Sequence, residues 1–435
     1  MDKNGKVKLG LIGLGTVGTG VVKVLKDYEN IEITRIAVKN LNKKRDIENL
    51  DQSILTDDPF SIVTDPDIDI VVEVIGGTQP AYELLKTAIK NKKHIVTANK
   101  ELLAKHGEEL FNLANENNVV ILYEAAIAGG IPIIMPIKTT LAGNKIHTIE
   151  AILNGTTNYI LTKMEKDGVS YEEVLKEAQK LGYAETDPTG DVEGFDSAYK
   201  ITTLATITLN QRVDINKVYR EGITKISAND MKFAKELGYK IKLIALAKLT
   251  EDNKADVRVH PMLVPIKDCL AGINGVTNSV VLEGFPVGRV MFAGPGAGMF
   301  PTASSVLGDI LAITRSMGSK ELLPLMKCHH SVSAQQIDIK DTVNKYYISV
   351  TAANTPGVIG SIGEICGRHN ISLASVLQKG IDKENTAEIV VITEGCKEQD
   401  INNAVEELKN NNSIVKINNL IRAVSYTHLR AHETL

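Results

Sequence analysis

Two rhythms of apolar and polar residues alternate along the first third of the chain. Short apolar runs at 7–13, 31–38, 69–75, 94–98 and 119–123 each end in a polar or glycine-rich turn. Between them, 80–91 and 101–117 carry apolar residues at the spacing of an amphipathic helix. Strand and helix in alternation predict a parallel sheet with helices on its faces, hence an α/β fold. Near residue 138 the rhythm changes. Residues 146–153 are strand-like, Ser170 to Glu173 read as a capping box opening a helix to Leu181, and 240–249, 256–264 and 276–282 are strand-like or mixed. This middle stretch predicts an α+β domain for substrate binding and dimerisation. A polar stretch at 340–344 reads as a linker, and 346–423 then give strand, helix, strand, strand, helix, strand: a small βαββαβ unit. The expected division is 1–137 completed by 300–330, then 138–299, then 340–424. Residues 425–435 carry no periodicity and read as a disordered or non-native tail.

The first strand runs straight into Gly13-Leu14-Gly15-Thr16-Val17-Gly18, and helical spacing resumes through Val21, Val22, Val24 and Leu25. Strand, GxGxxG and helix in this order frame a Rossmann-like dinucleotide-binding domain. The first glycine makes the turn, the second lets backbone approach the pyrophosphate, and the third lets helix pack on strand. The helix start then offers free amides to the phosphates. An acidic residue at the end of the second strand would hold a ribose hydroxyl, but here the sequence is Lys39-Asn40, followed by Asn42-Lys43-Lys44-Arg45. A cation there suits the 2′-phosphate of NADP, so NADP is expected to bind at least as readily as NAD. A solvated basic turn fits the same residues equally well. Open parallel sheets bind ligands beyond the carboxyl ends of their strands, so Gly13, Lys39, Thr78, Lys100 and Glu124 should ring one crevice.

A second centre of interest is 183–200, where Glu185, Asp187, Asp191, Glu193 and Asp196 crowd a loop broken by Pro188, Gly190 and Gly194. Helical spacing begins at Asp196, and Lys200 follows one turn later on a stripe with Thr203, Leu204 and Ile207. An acidic surface loop with a structural ion pair accounts for this pattern. So does a lysine held partly out of water beside carboxylates, poised to give and take a proton near neutral pH.

Gly182-Tyr-Ala-Glu-x-Asp-Pro, Asp191-Val-x-Gly-x-Asp196 and Lys200 resemble the signature of the homoserine dehydrogenases, as do Val96-Thr-Ala-Asn-Lys100 and Asn154-Gly-Thr-Thr-Asn-Tyr159. The resemblance spans roughly 6–424. It implies an NAD(P)-dependent enzyme interconverting aspartate 4-semialdehyde and L-homoserine. Lys200 and Lys100 would be catalytic, and Glu185, Asp191 and Asp196 would bind substrate. Cofactor contacts would come from Gly13, Gly15, Thr16, Val17, Gly18, Lys39, Thr78, Lys100, Gly182 and Gly298. The segment from Glu124 resembles one that wraps sodium, with Glu124, Ile127, Gly129 and Ile131 as ligands; without the resemblance it is a glycine-rich turn between domains. The βαββαβ unit looks like an ACT domain, which implies an amino-acid effector such as L-threonine, and a homodimer or homotetramer is expected. Asn354 stands where that turn often has aspartate. Since the dehydrogenase motifs are complete before residue 330, the last unit is expected to be separable from the chemistry.

The bulk properties narrow the field. At 435 residues, 43% hydrophobic and 23% charged, the chain is an ordinary globular protein of two or three domains. A net charge of −4 gives no case for nucleic acid or an anionic membrane. Cys269, Cys328, Cys366 and Cys396 are widely spaced, as in a reducing cytoplasm, and Cys328-His329-His330 has no second pair to complete a metal site. No signal peptide or spanning run is present, so a cytoplasmic location is expected. Two rivals fit less of the sequence: another Rossmann reductase of a related aldehyde or imine, which would lack the Glu185, Asp191, Asp196 and Lys200 set, and a non-enzymatic sensor, which would lack Lys200.

Overall fold

A computed structural model describes residues 6–317, 326–328, 330, 332–381 and 385–424. The proposed tail at 425–435, His329, and part of the expected 300–330 return segment lie outside them.

The first apolar runs form a six-stranded parallel sheet in the order Leu55–Thr56, Ile31–Ala37, Val7–Ile12, Ile70–Glu73, His94–Thr97, Ile121–Leu122. Their side chains are buried on both faces, Leu9, Val72 and Val96 on one and Ile12, Val71 and Ile95 on the other, all at 1% exposure or less. Full burial of each contributes about 1.5–3 kcal/mol. Helices Thr16–Leu25, Ala81–Lys90 and Lys100–Glu116 cover the sheet, and Met299–Ser316 returns to lie on the first of them. The strand order reverses between Val7–Ile12 and Ile70–Glu73, the switch point where such sheets open a crevice.

The remaining strands make one eleven-stranded sheet that runs through both later units. Lys145–Ile152, Tyr239–Leu249, Ala255–Pro265 and Thr277–Phe285 form its middle part, with Gly288–Pro295 as an outer strand that the sequence pattern did not reveal. The βαββαβ unit continues the same sheet. Its last strand, Ile414–Ala423, runs parallel to Ala255–Pro265 through Met262↔Arg422 and Leu263↔Ala423. Within 340–344, Lys340, Asp341 and Val343 are exposed, but the other two residues are packed inside. Thr342 and Asn344 are each 4% exposed, and Arg258 donates to Asn344 Oδ1 at 2.8 Å and to Thr342 Oγ1 at 3.3 Å. Polar composition suggested solvent, but these groups satisfy one another inside the protein.

Among the described residues no helix is long and apolar enough to cross a membrane.

Candidate active site

Gly13-to-Gly18 forms a tight turn between strand and helix. A Cβ on Gly18 would stand 2.1 Å from the Gly13 carbonyl oxygen, whereas one on Gly15 would meet nothing within 4 Å. Close packing at one glycine and open space at the other fit a backbone cradle for a pyrophosphate. The helix Thr16–Leu25 begins there with no side-chain cap, leaving its first amides to a ligand. The residues present therefore fit a nicotinamide dinucleotide. Lys39 is exposed just past Ile31–Ala37. Arg45 is occupied nearby, donating to the Asn40 carbonyl at 2.6 Å and the Lys43 carbonyl at 2.8 Å, which fixes the loop that follows Lys39.

The next two strand ends are tied together. Glu73, fully buried, accepts from Thr97 Oγ1 at 2.6 Å and from the amides of Ile75 and Gly76 at 2.9 and 3.2 Å. Burial pushes its carboxyl above the ordinary range, against these hydrogen bonds. Asn99 donates to the Gly77 carbonyl at 2.6 Å and caps Lys100–Glu116 by accepting from the Leu102 amide at 3.1 Å. These contacts hold the Gly76–Thr78 turn against the start of the helix bearing Lys100. Glu73 and Asn99 escaped the sequence reading; strand-end polarity was their only signal.

The middle domain supplies the other wall. Helix Phe195–Leu209 buries Asp196 and Lys200 one turn apart. Lys200 Nζ reaches Asp196 Oδ2 at 2.7 Å and donates to the Leu153 carbonyl at 2.8 Å. The other oxygen, Asp196 Oδ1, is 2.6 Å from Lys100 Nζ. One carboxylate thus joins a lysine from each domain. Asn154, which caps Gly155–Asp167, donates from Nδ2 to Asp191 Oδ1 at 2.7 Å and to Asp196 Oδ2 at 2.9 Å.

The two lysines are not equivalent. The Lys200 side chain is 10% exposed and that of Lys100 is 42% exposed. Burial pushes the Lys200 ammonium below its ordinary pKa; Asp196 and Asp191 pull the other way, and the Lys100 charge adds to the push. Burial also opposes the charge of Lys100, but Asp196, Asp191 and Glu101 outweigh it and leave that pKa raised. Asp196 itself is desolvated, yet the two ammonium groups hold it well below the usual carboxylate range. Burial, then the neighbouring Asp196, push Asp191 upward. The site thus raises the pKa of one lysine and lowers that of its neighbour.

Other candidates are placed less centrally. Glu185 and Gly182 are exposed, and the Glu185 carbonyl accepts from Gln179 at 3.1 Å. Gly298 precedes the returning helix with φ +122°. In the sodium set, Glu124 and Gly129 already accept hydrogen bonds within the protein. Glu124 Oε1 accepts from the amides of Ile133 and Ile134 at 2.5 and 2.7 Å, Oε2 accepts from Met135 at 2.9 Å, and the Gly129 carbonyl accepts from Ser305 at 2.6 Å. Glu124 thus receives the amides that open the helix Ile134–Lys138. Cys328, matching the structural reading, contacts Tyr123 OH at 3.2 Å and Lys138 Nζ at 2.9 Å.

A dinucleotide cradle facing a carboxylate-linked pair of lysines defines an NAD(P)-dependent oxidoreductase that acts on a CH–OH group. Comparison with known proteins narrows this class. The model for homoserine dehydrogenase matches residues 132–311, that for the homoserine dehydrogenase NAD binding domain 13–124, and that for the ACT domain 346–412. A homoserine dehydrogenase of Synechocystis sp. is 46% identical, with 96% of this chain and 100% of the relative aligned. One of Bacillus subtilis is 40% identical over 92% and 94% of the two chains. The crystal structure of a homoserine dehydrogenase from Thiobacillus denitrificans superposes with a TM-score of 0.90 at 39% identity, covering 97% of this chain and 98% of that one. A hyperthermophilic archaeal homoserine dehydrogenase in complex with NADPH matches at 27% identity and a TM-score of 0.62, covering 72% and 98%. The chain belongs to the homoserine dehydrogenase family.

Proposed function

We propose that the enzyme interconverts L-aspartate 4-semialdehyde and L-homoserine with Lys200 as the proton carrier. The observation that carries this reading is the single Asp196 carboxylate shared by Lys100 and Lys200. A bound nicotinamide supplies or takes the hydride. In reduction, protonated Lys200 donates to the carbonyl oxygen as it becomes an alkoxide; in oxidation, neutral Lys200 removes the hydroxyl proton. Lys100 stays charged and stabilises the developing oxyanion. Asp191, half-buried at the cleft, and Glu185, on the exposed turn beside it, suit the substrate ammonium. Phe285, just before the outer strand, and Met291, within it, are exposed on the edge where a homodimer would close.

NADP preference rests on Lys39. Lys39→Asp is expected to place a carboxylate against the 2′-phosphate and to move the ratio of kcat/KM for NADP over NAD down by at least tenfold. Assaying homoserine oxidation with both cofactors, in both proteins, checks the cofactor and the reaction together. An unchanged ratio means that Lys39 belongs to a solvated turn.

The ACT unit supports feedback by a small amino acid. Asn354 closes its first turn onto the hairpin through the Asn385 carbonyl, at 2.9 Å from its amide. L-threonine is expected to inhibit the full-length enzyme with a coupling of about 1–3 kcal/mol. A titration that leaves activity flat with threonine, isoleucine and methionine alike removes the regulatory reading.

A further inference from the structure

The helix Phe195–Leu209 starts without a side-chain cap, although its first two turns carry Asp196 and Lys200. Arg220 holds it instead. The guanidinium lies 3.4 Å over the Phe195 ring and donates to the Glu193 carbonyl just ahead of the helix. Adjacent backbone is tied at the same place: the Ile223 amide donates to the Val192 carbonyl at 2.9 Å, and Thr224 Oγ1 to Glu193 Oε1 at 3.1 Å. A Cβ on Gly222 would stand 2.4 Å from the Val192 carbonyl oxygen, so the two segments touch without space between them.

Arg220 belongs to a two-residue strand, Tyr219–Arg220, paired with Arg258 and Val259. So short a ladder needs a second support. Arg422, from the last strand of the ACT unit and 4% exposed, provides it. It donates to Glu221 Oε2 at 2.9 Å and to Tyr219 OH at 3.2 Å, on either side of Arg220. Its Nε donates to Glu398 Oε2 at 2.8 Å, and Tyr346 OH donates to the same oxygen at 2.7 Å, which anchors the arginine in the ACT unit.

We propose that Arg220 is a positioning residue for the Asp196–Lys200 pair and that Arg422 braces it, so the ACT unit supplies part of the catalytic geometry. The proposal rests on Lys200 being the proton carrier. A guanidinium stacked on Phe195 fixes the direction of the first helical turn. Without it Asp196 drifts from both lysines, and a shift of about 1 Å costs on the order of 100-fold in rate. The charged groups facing Lys200 are Asp196 on its own helix, Lys100 on the neighbouring domain and Asp191 on the preceding turn. A looser Asp196 removes the nearest support for the ammonium.

A double-mutant cycle in the full-length enzyme tests this. Arg220→Gln and Arg422→Gln are made singly and together, with Lys200→Ala as control. Readouts are kcat, KM, the pH profile of aldehyde reduction, and Tm. Arg220→Gln is expected to lower kcat about 10- to 100-fold, with KM for NADPH within about twofold, and to move the alkaline limb to lower pH. Arg220→Lys, which keeps a donor for the Glu193 carbonyl, should recover part of the rate. Arg422→Gln should act in the same direction by a smaller factor, and the double variant should lose less than the product of the two, because they act in series. Loss of stability alone lowers Tm and the active fraction but leaves the pH profile where it was. An unmoved profile in Arg220→Gln, or losses that simply multiply, overturns the proposal; if that variant does not fold, an unmoved profile in Arg220→Lys at reduced Tm does the same. Inactive Lys200→Ala beside arginine variants that match wild type sinks the positioning role alone. Normal turnover in Lys200→Ala sinks the proton carrier and this proposal with it.

Discussion

Replacing Lys200 with alanine is expected to lower kcat by about two to four orders of magnitude, the usual size of a general acid–base contribution. The side chain is buried, donates to the Leu153 carbonyl, and shares Asp196 with a second lysine. Its loss leaves Lys100 in place, so the developing alkoxide still meets a positive charge and some rate survives. Cofactor binding should be unaffected, because the cradle at Gly13 to Gly18 lies in the other domain. Steady-state turnover in both directions, with NADPH affinity measured by fluorescence titration, separates the two effects. Near-normal turnover would take Lys200 out of the mechanism.

Asp196→Asn comes next in size, with about a hundredfold loss of kcat, since both lysines lose the charge that orients them. The sign of its pH effect follows from the site. Burial already depresses the Lys200 pKa, and Asp196 is the strongest opposing influence. Removing it depresses that pKa further. Aldehyde reduction needs the protonated lysine, so its alkaline limb should move to lower pH. Homoserine oxidation needs the neutral amine, so its acid limb should move the same way. Opposite movements of the two limbs, or none, would mean that Lys200 does not carry the proton.

Local pattern made much of this site legible. Strand, glycines and helix in sequence located the cofactor cradle, and an i,i+4 step just ahead of the charge-free run 201–209 singled out Asp196 and Lys200. The strand-end rule placed Lys100 at the crevice. It could not show that Lys100 shares a carboxylate with Lys200, because that contact crosses two domains. Five carboxylates between 185 and 196 look alike on paper; burial separates Asp196 from the exposed Glu185. The carbonyl of Leu153 has no sequence signature at all. Residues 340–344 read ambiguously for a physical reason: a polar segment resembles a linker unless its partners, here Arg258 for Thr342 and Asn344, are known. Glu124 carries a similar ambiguity, since a carboxylate that receives helix-start amides and one that ligates a metal look alike in sequence.

The parallel pairing of Leu263 with Ala423 bears on how the protein is made. The edge of Ala255–Pro265 is synthesised long before the strand that covers it. Tyr219–Arg220 covers Arg258 and Val259 early, but until Ile414–Ala423 arrives a nascent chain leaves the edge at Met262 and Leu263 unpaired, the kind of surface that templates aggregation. Contacts so distant in sequence also form slowly. Anything that shielded this edge during synthesis would protect the catalytic domain, even though the missing strand belongs to the ACT unit.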